Sequence, residues 1–264
     1  MVVGNIVAEL LAAAILAFLG LVAPLIWYYF STYRSLLEFF GLRPERRDLI
    51  LYLSSLRIPR GGALDAKGVQ RSYSGLALSA DEATVIGPFV RLLTELQAKP
   101  LYALFRWIAR KHWSLQVRPL VYSAPLVPTD IEFANLITLG TPGYNEVTGY
   151  YHQHGAPTLK WAQNNTQIEI CRGPQSGQLI PNPDQQDLAI LEKLRDDSKG
   201  TTVFIAAGLG VNGTRGAAEY LLRNWRKLRN TCGSRPFAWC LGFPPILQDP
   251  DGWQKPTAVW RFPD

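Results

Sequence analysis

The chain has 264 residues, 47% of them hydrophobic, which excludes a disordered polymer and fits one domain of ordinary size with an appendage. A formal net charge of +6 suits an anionic ligand or an anionic membrane surface, but is too modest and too scattered for direct DNA binding to be expected. The three cysteines, Cys171, Cys232 and Cys240, form no CxxC pair, which fits a reducing compartment better than a disulfide scaffold.

The clearest signal comes first. Leu10 to Phe30 is a run of 21 residues without a charge. As a helix it is about 30 Å long, the thickness of one bilayer core. Trp27, Tyr28 and Tyr29 stand where an interfacial aromatic belt belongs, and Arg34, Arg43, Arg46 and Arg47 follow. Only Glu9 and the α-amino group precede the run, so the arginine excess predicts a single-pass membrane protein with its N-terminus outside and its body in the cytoplasm. No basic residues precede the run and no small-x-small site follows it, as a cleaved signal peptide would require. A buried or interfacial helix is the alternative. The expected division is an anchor over 1–31, a juxtamembrane helix or linker over 32–47 closed by Gly41 and Pro44, and a body over 48–264.

The body opens with a strand, Leu49 to Leu53, that runs into Ser54, Ser55 and a glycine-containing loop. Loops after the first strand of a parallel sheet are where ligands sit, so Ser54, Ser55 and Arg60 are candidate contacts. Arg57, Lys67 and Arg71 make the same loop basic, which equally describes a solvated surface. Ser79 and Glu82 have capping-box spacing and predict a helix to about Leu96, kinked by Pro88. Leu101 to Trp113 reads as a second helix, and Leu115 to Tyr122 and Ala134 to Leu139 as strands. The last of these leads into Gly140-Thr141-Pro142-Gly143-Tyr144-Asn145 and a short helix from Glu146. Thr141 is a candidate ligand contact, and Asn145 is either another or the helix cap.

His152-x-His154 has no carboxylate or cysteine at ligand spacing, so it reads as a polar pair and no metal is expected. Thr166 to Cys171 is a strand, with Gln178 to Pro181 returning beside it. Leu188, Leu191 and Leu194 predict an amphipathic helix over Asp184 to Ser198, closed by Gly200.

Thr202 to Leu228 joins a short apolar run to a glycine turn and then to a helical stripe, Ala218, Leu221, Leu222, Trp225 and Leu228. Gly208-x-Gly210-x-x-Gly213 matches the dinucleotide fingerprint, but the next strand, Phe237 to Leu241, closes on Gly242-Phe243-Pro244 without the acidic residue that would hold a ribose. Two readings stand. The glycines admit a phosphate to the helix N-terminus, or they let helix and sheet pack closely. In a parallel sheet this turn and the Gly140 turn share one edge, which makes the pair more informative than either alone. Thr257 to Phe262 alternates like an edge strand.

There is no GxSxG, HExxH or GxxxxGK[ST] and only three histidines, so the residues favour binding over catalysis and no catalytic residue is assigned. The fold expected for the body is a Rossmann-like, mostly parallel sheet with helices on both faces.

Gly213-Thr214-Arg215, opening a helix after an apolar strand, resembles the glycine–threonine–lysine turn of the CRISPR-associated Rossmann-fold (CARF) sensor domains. The Leu51-to-Ser55 strand entering a serine-rich loop is similar to their first ligand loop. Arg215 stands where that family carries lysine. The resemblance implies a homodimer binding a cyclic oligonucleotide at its two-fold axis. The reading of the body as a sensor of a nucleotide-like anion takes backbone donors from Gly208, Gly210 and Gly213, a hydroxyl contact from Thr214 and charge from Arg215, and expects no cofactor. A membrane-anchored nucleotide- or NAD-processing enzyme on the same fold is the alternative.

Overall fold

The centre of the molecule is a seven-stranded mixed sheet built from its most continuously apolar segments. The computed structural model describes residues 2–43, 46, 48–57, 63–64, 70–71, 76–78, 80–97, 118–122, 135–162, 167–182, 184–196 and 199–262. The helix expected over Leu101 to Trp113 and the capping residue Ser79 lie outside that set.

In chain order the elements begin with α1 (Val2–Phe39) and β1 (Asp48–Tyr52). Two small ribbons follow, β2 (Ser55–Arg57) with β5 (Leu76–Leu78), and β3 (Ala63–Leu64) with β4 (Gln70–Arg71). Next come α2 (Ala80–Ala83), α3 (Ile86–Gln97), β6 (Arg118–Tyr122), β7 (Asn135–Leu139) and α4 (Glu146–His154). The hairpin β8 (Leu159–Ala162) and β9 (Gln167–Ile170) precedes β10 (Asp187–Asp196), β11 (Thr201–Gly208), α5 (Val211–Cys232), β12 (Phe237–Phe243) and β13 (Ala258–Phe262). The spatial order is β13-β12-β10-β11-β7-β1-β6. β6, β1, β7 and β11 are mutually parallel, β12 points the same way, and β10 and β13 run against them. The mostly parallel α/β sheet read from the sequence is therefore present, with β13 at its edge as the alternation of that strand predicts.

The helix expected over Asp184 to Ser198 is instead the strand β10, hydrogen-bonded on both sides, to β11 and to β12. Leu188, Ala189, Ile190 and Leu191 are all buried, because a central strand hides both of its faces. The misleading signal is the three-residue spacing of Leu188, Leu191 and Leu194; the charged Glu192 and Lys193 are buried in mid-strand with one side chain on each face. Glu192 accepts from the Thr158 N–H at 2.5 Å. The Lys193 amine lies 4.8 Å from the Phe39 ring centroid and 5.7 Å from that of Phe204. It has no hydrogen-bond partner among the described residues.

One face of the sheet packs against α3, α5 and the last turns of α1, burying Phe39, Leu51, Ile137, Phe204, Trp225 and Leu241. The other packs against α4 and the β8–β9 hairpin, burying Ile50, Leu136, Trp161, Ile190 and Ile205. α1 passes the expected boundary at 31/32 without a break and stops at Gly41, whose φ of +71° is costly for any residue with a Cβ. Tyr33, Leu36, Phe39 and Phe40 root it in the core. Phe39 alone meets Phe204 at 5.2 Å, Phe237 at 6.3 Å and Trp225 at 6.4 Å between ring centroids. Asn135 ties this root to the sheet, donating to the Gly41 carbonyl at 3.2 Å and accepting from the Thr202 N–H at 2.9 Å. Before the root, Leu10, Leu16, Phe18 and Trp27 are more than half exposed. Among the described residues no helix is long and apolar enough to cross a membrane. Within Leu10–Phe30 the side chains at 21–22, 24–26 and 28–30 are outside the described set, so that statement does not reach the whole run.

Burial pushes Lys193 down from its ordinary 10.5 to about 8, assisted by the charge of Arg195. The folded state therefore disfavours charged Lys193, a cost present in full below about pH 8 and absent above the unfolded value. Lys193→Met should stabilise the protein at pH 7 by about 1–3 kcal/mol, with the gain shrinking towards pH 10. Chemical denaturation at the two pH values checks this, and a destabilised variant at pH 7 would contradict it.

Candidate functional site

Register fixes which loops meet. Tyr52 of β1 and Ile205 of β11 both pair with Thr138 of β7. Two residues on from Tyr52 is Ser54, two on from Thr138 is Gly140, and three on from Ile205 is Gly208. The three turns open along the carboxyl ends of adjacent parallel strands, where open α/β sheets place ligands. A cavity of about 320 Å³ lies there, reached by Ser54, Asp81, Glu82, Thr141, Tyr144 and Thr214.

The glycine turn at this edge already holds an anion, and the anion is part of the protein. Asp187, the first residue of β10, accepts from the Gly210 N–H at 2.6 Å through Oδ1 and from the Gly213 N–H at 2.7 Å through Oδ2. Gly210 is the N-cap of α5 and has no side chain to cap it, so the aspartate caps the helix from a neighbouring strand. A Cβ on Gly210 would stand 2.6 Å from Asp187 Oδ2, and one on Gly213 would strike the same carboxylate. A Cβ on Gly208 would run into the backbone of Gly213 and Thr214. The glycines thus serve close strand–helix packing and make room for Asp187, which corrects the expectation that Gly210 and Gly213 offer free backbone donors. Burial raises the Asp187 pKa, while the amides of Gly213, Gly210 and Asn212 pull it back.

Across the cavity, Ser54 is clamped to Glu82. Its N–H donates to Glu82 Oε2 at 2.7 Å and its hydroxyl to Oε1 at 2.5 Å. Gly140 is required beside them, with φ at +85° and a would-be Cβ only 3.0 Å from that of Ser54. Burial lifts the Glu82 carboxyl above its ordinary range against the two Ser54 hydrogen bonds, and the nearby Asp81 charge adds to the rise.

Of the residues singled out from the sequence, Ser54, Thr141, Gly208, Gly210 and Thr214 line the cavity. Thr214 Oγ1 accepts from the Gly208 N–H at 3.0 Å, so part of its capacity is spent on the turn. Asn145 is the cap: fully buried, it accepts from Val147 and Thr148 N–H at 2.9 and 3.0 Å and donates to the Leu139 carbonyl at 2.5 Å. Arg215 stands apart from the lining. Its guanidinium lies 3.7 Å from the Trp253 ring centroid, with one nitrogen 3.8 Å from Asp81 Oδ1. Ser55 has its backbone in β2 but its side chain outside the described set, and Arg60 is wholly outside it.

Three acidic residues were not singled out as site residues from the sequence: Asp81, Glu82 and Asp187. Glu82 was read as a capping partner for Ser79, and Asp187 was hidden by reading its strand as a helix. His152 accepts from the Trp161 N–H at 3.1 Å, and burial with the nearby Lys160 charge drives its pKa down to about 4, so it is neutral at pH 7. No protein-family model matches the chain, and neither a curated protein nor a solved structure is significantly similar to it.

Asp187→Ala should cost about 1–3 kcal/mol, since it strands the buried Gly213 amide and leaves the exposed Gly210 amide to water, while Asp187→Asn keeps one acceptor and should cost less. Equal, near-zero losses in denaturation would contradict the clamp. For Glu82 the folded pKa is raised, so its contribution to stability is greatest below its ordinary 4.5 and is lost as pH rises through the folded value. Glu82→Gln should therefore flatten the decline in stability as pH rises above 4.5, measured by thermal melts, and an unchanged pH profile would contradict it.

Proposed function

We propose that the chain is a membrane-anchored α/β sensor that binds a nucleotide-type ligand at the carboxyl edge of its parallel strands and signals through assembly of α1. The observation that carries this reading is the cavity beside Ser54, Glu82, Asp81 and Thr141. Carboxylates there would accept hydrogen bonds from the vicinal hydroxyls of a sugar, and such charge-assisted bonds are strong. Tyr144, 61% exposed, offers an aromatic face to a base. With Asp187 in the turn of Gly210 and Gly213, phosphate is read elsewhere; the chain runs from Ser54 directly into the basic stretch 57–71. A cyclic oligonucleotide is the ligand that the CARF resemblance implies.

The uncharged run Leu10–Phe30 supports the anchor, and the arginines after it support a cytoplasmic body. Ala12, Ala13, Ala14, Ala17, Gly20 and Ala23 allow close helix approach in a homo-oligomer. α5 supplies Thr214 to the cavity at one end and packs Trp225 against Phe39 of α1 further along, which gives ligand and anchor a shared element. A ligand would drive assembly only as far as it binds the assembled form more tightly.

A second reading has its own observation. Glu82, whose carboxyl burial lifts above its ordinary range and which Ser54 holds in place, stands in the cavity as a candidate general acid or base, as a nucleotide- or NAD-processing enzyme would need. Purified full-length protein is incubated with a panel of nucleosides, mononucleotides, NAD and cyclic oligonucleotides, and both melting temperature and turnover are followed. The expected result is stabilisation by a ribose-bearing ligand without turnover, weakened about 10- to 100-fold in Glu82→Gln. Turnover lost in Glu82→Gln would establish the enzyme reading instead. No shift with any member of the panel, or a shift indifferent to Glu82→Gln, would contradict both.

A further inference from the structure

The opposite edge of the sheet, where the parallel strands begin, carries several exposed basic residues, with Asp48 and Asp196 at the ends of β1 and β10 among them. α1 joins the body there: Phe39 stacks on Phe237 at the start of β12, and Glu38 accepts from Arg229 near the end of α5 at 3.2 Å. Arg34, Arg195, Arg226, Lys227 and Arg235 are exposed around this junction. Glu38 is already shared between Arg34 at 2.8 Å and Arg229. The carboxyl edge, by contrast, gathers Asp81, Glu82, Asp187, Asp249 and Asp251.

Within the basic edge lies a second cavity of about 250 Å³, between the end of α5 and strands β12 and β13. Arg235 and Arg261 line it with Thr231, over a floor of Phe237 and Trp239, and among the described residues no carboxylate lines it. The Arg261 guanidinium is held 4.7 Å from the Trp239 ring centroid, which presets its direction. Two guanidinium groups and a hydroxyl around a small hollow match a phosphate, and the aromatic floor suits the glycerol and first methylenes behind it. The distance to the bilayer is also short. Tyr33 is already buried in the body, so only about one helical turn separates the core from Phe30. Phe39, which stacks on Phe237 of the cavity floor, stands nine residues beyond Phe30, about 13 Å of helix, so the basic edge lies between one and two Debye lengths of roughly 8 Å from the end of the apolar run.

We propose that this cavity is a headgroup site for an anionic phospholipid, which seats the body on the membrane with its ligand cavity facing away. The inference rests on the membrane reading of Leu10–Phe30. Cys232, half-buried in the cavity wall, provides the probe, and Cys171, beyond the other face of the sheet, the internal control. Full-length protein is placed in nanodiscs of phosphatidylcholine alone or rich in phosphatidylglycerol, and alkylation of each cysteine is timed by peptide mass spectrometry. Cys232 should react at least about fivefold more slowly in the anionic discs, the factor expected of one arginine at a charged surface, with Cys171 unchanged. Arg235→Gln with Arg261→Gln should abolish the difference. Equal Cys232 rates in the two lipids, or protection that survives the double variant, would overturn the site. Protection of Cys232 in neutral discs by soluble glycerol phosphate would overturn the lipid as its occupant, since a free phosphate would then suffice. Resistance of the protein to alkaline carbonate extraction is established first. Extraction would defeat the membrane reading itself, whereas an inserted protein with lipid-independent Cys232 defeats this inference alone.

Discussion

The carboxylate of Asp187 bound to the first turn of α5 is the contact on which the arrangement of this protein depends. It joins a strand that runs against the sheet, the glycine turn after β11 and the first turn of α5 in one cluster, buried at Asp187 and Gly213. An uncapped helix end buried beside a sheet leaves amide donors without water or partner, which is costly. Here the cap comes from sequence 23 residues away from Gly210 rather than from the turn itself. Once the carboxylate is in place, the helix N-terminus no longer attracts an anion. The cavity next to it takes its character from Ser54, Asp81 and Glu82.

The net +6 reads as a general basicity, yet the cavity at the carboxyl ends of the parallel strands is lined by Asp81 and Glu82, while several exposed arginines stand near the α1 junction beside Glu38 and Asp48. Arg215 stands one residue beyond Thr214 at the cavity, but it lies against Trp253 and faces Asp81, so its charge is spent within the protein.

Much of this was legible from residues alone. The apolar runs of β1, β7, β11 and β12, the stripe of α5 and the meeting of the Gly140 and Gly208 turns follow from local pattern and the handedness of crossovers. Asn145 as a cap was one of two stated options. What escaped was set by tertiary context. β10 looks helical because Leu188, Leu191 and Leu194 fall three apart; in the fold Glu192 is buried against Thr158 and Lys193 against Phe39, which no local pattern shows. The same misreading concealed Asp187, and with it the reason for the glycines. A fingerprint of small residues cannot distinguish a turn open to phosphate from one filled by a carboxylate that arrives from elsewhere in the chain.

Glycine-selective ¹⁵N labelling of the full-length protein gives the most direct test, since Gly140, Gly208, Gly210 and Gly213 all report on the one edge. Inorganic phosphate and a nucleoside are titrated separately. If Asp187 fills the turn, the Gly210 and Gly213 amides stay fixed through the phosphate titration, while the nucleoside moves the Gly140 resonance beside Ser54 and Glu82. Saturable movement of the Gly210 and Gly213 amides with phosphate would instead show a turn open to anions and contradict the assignment of Asp187 as its occupant.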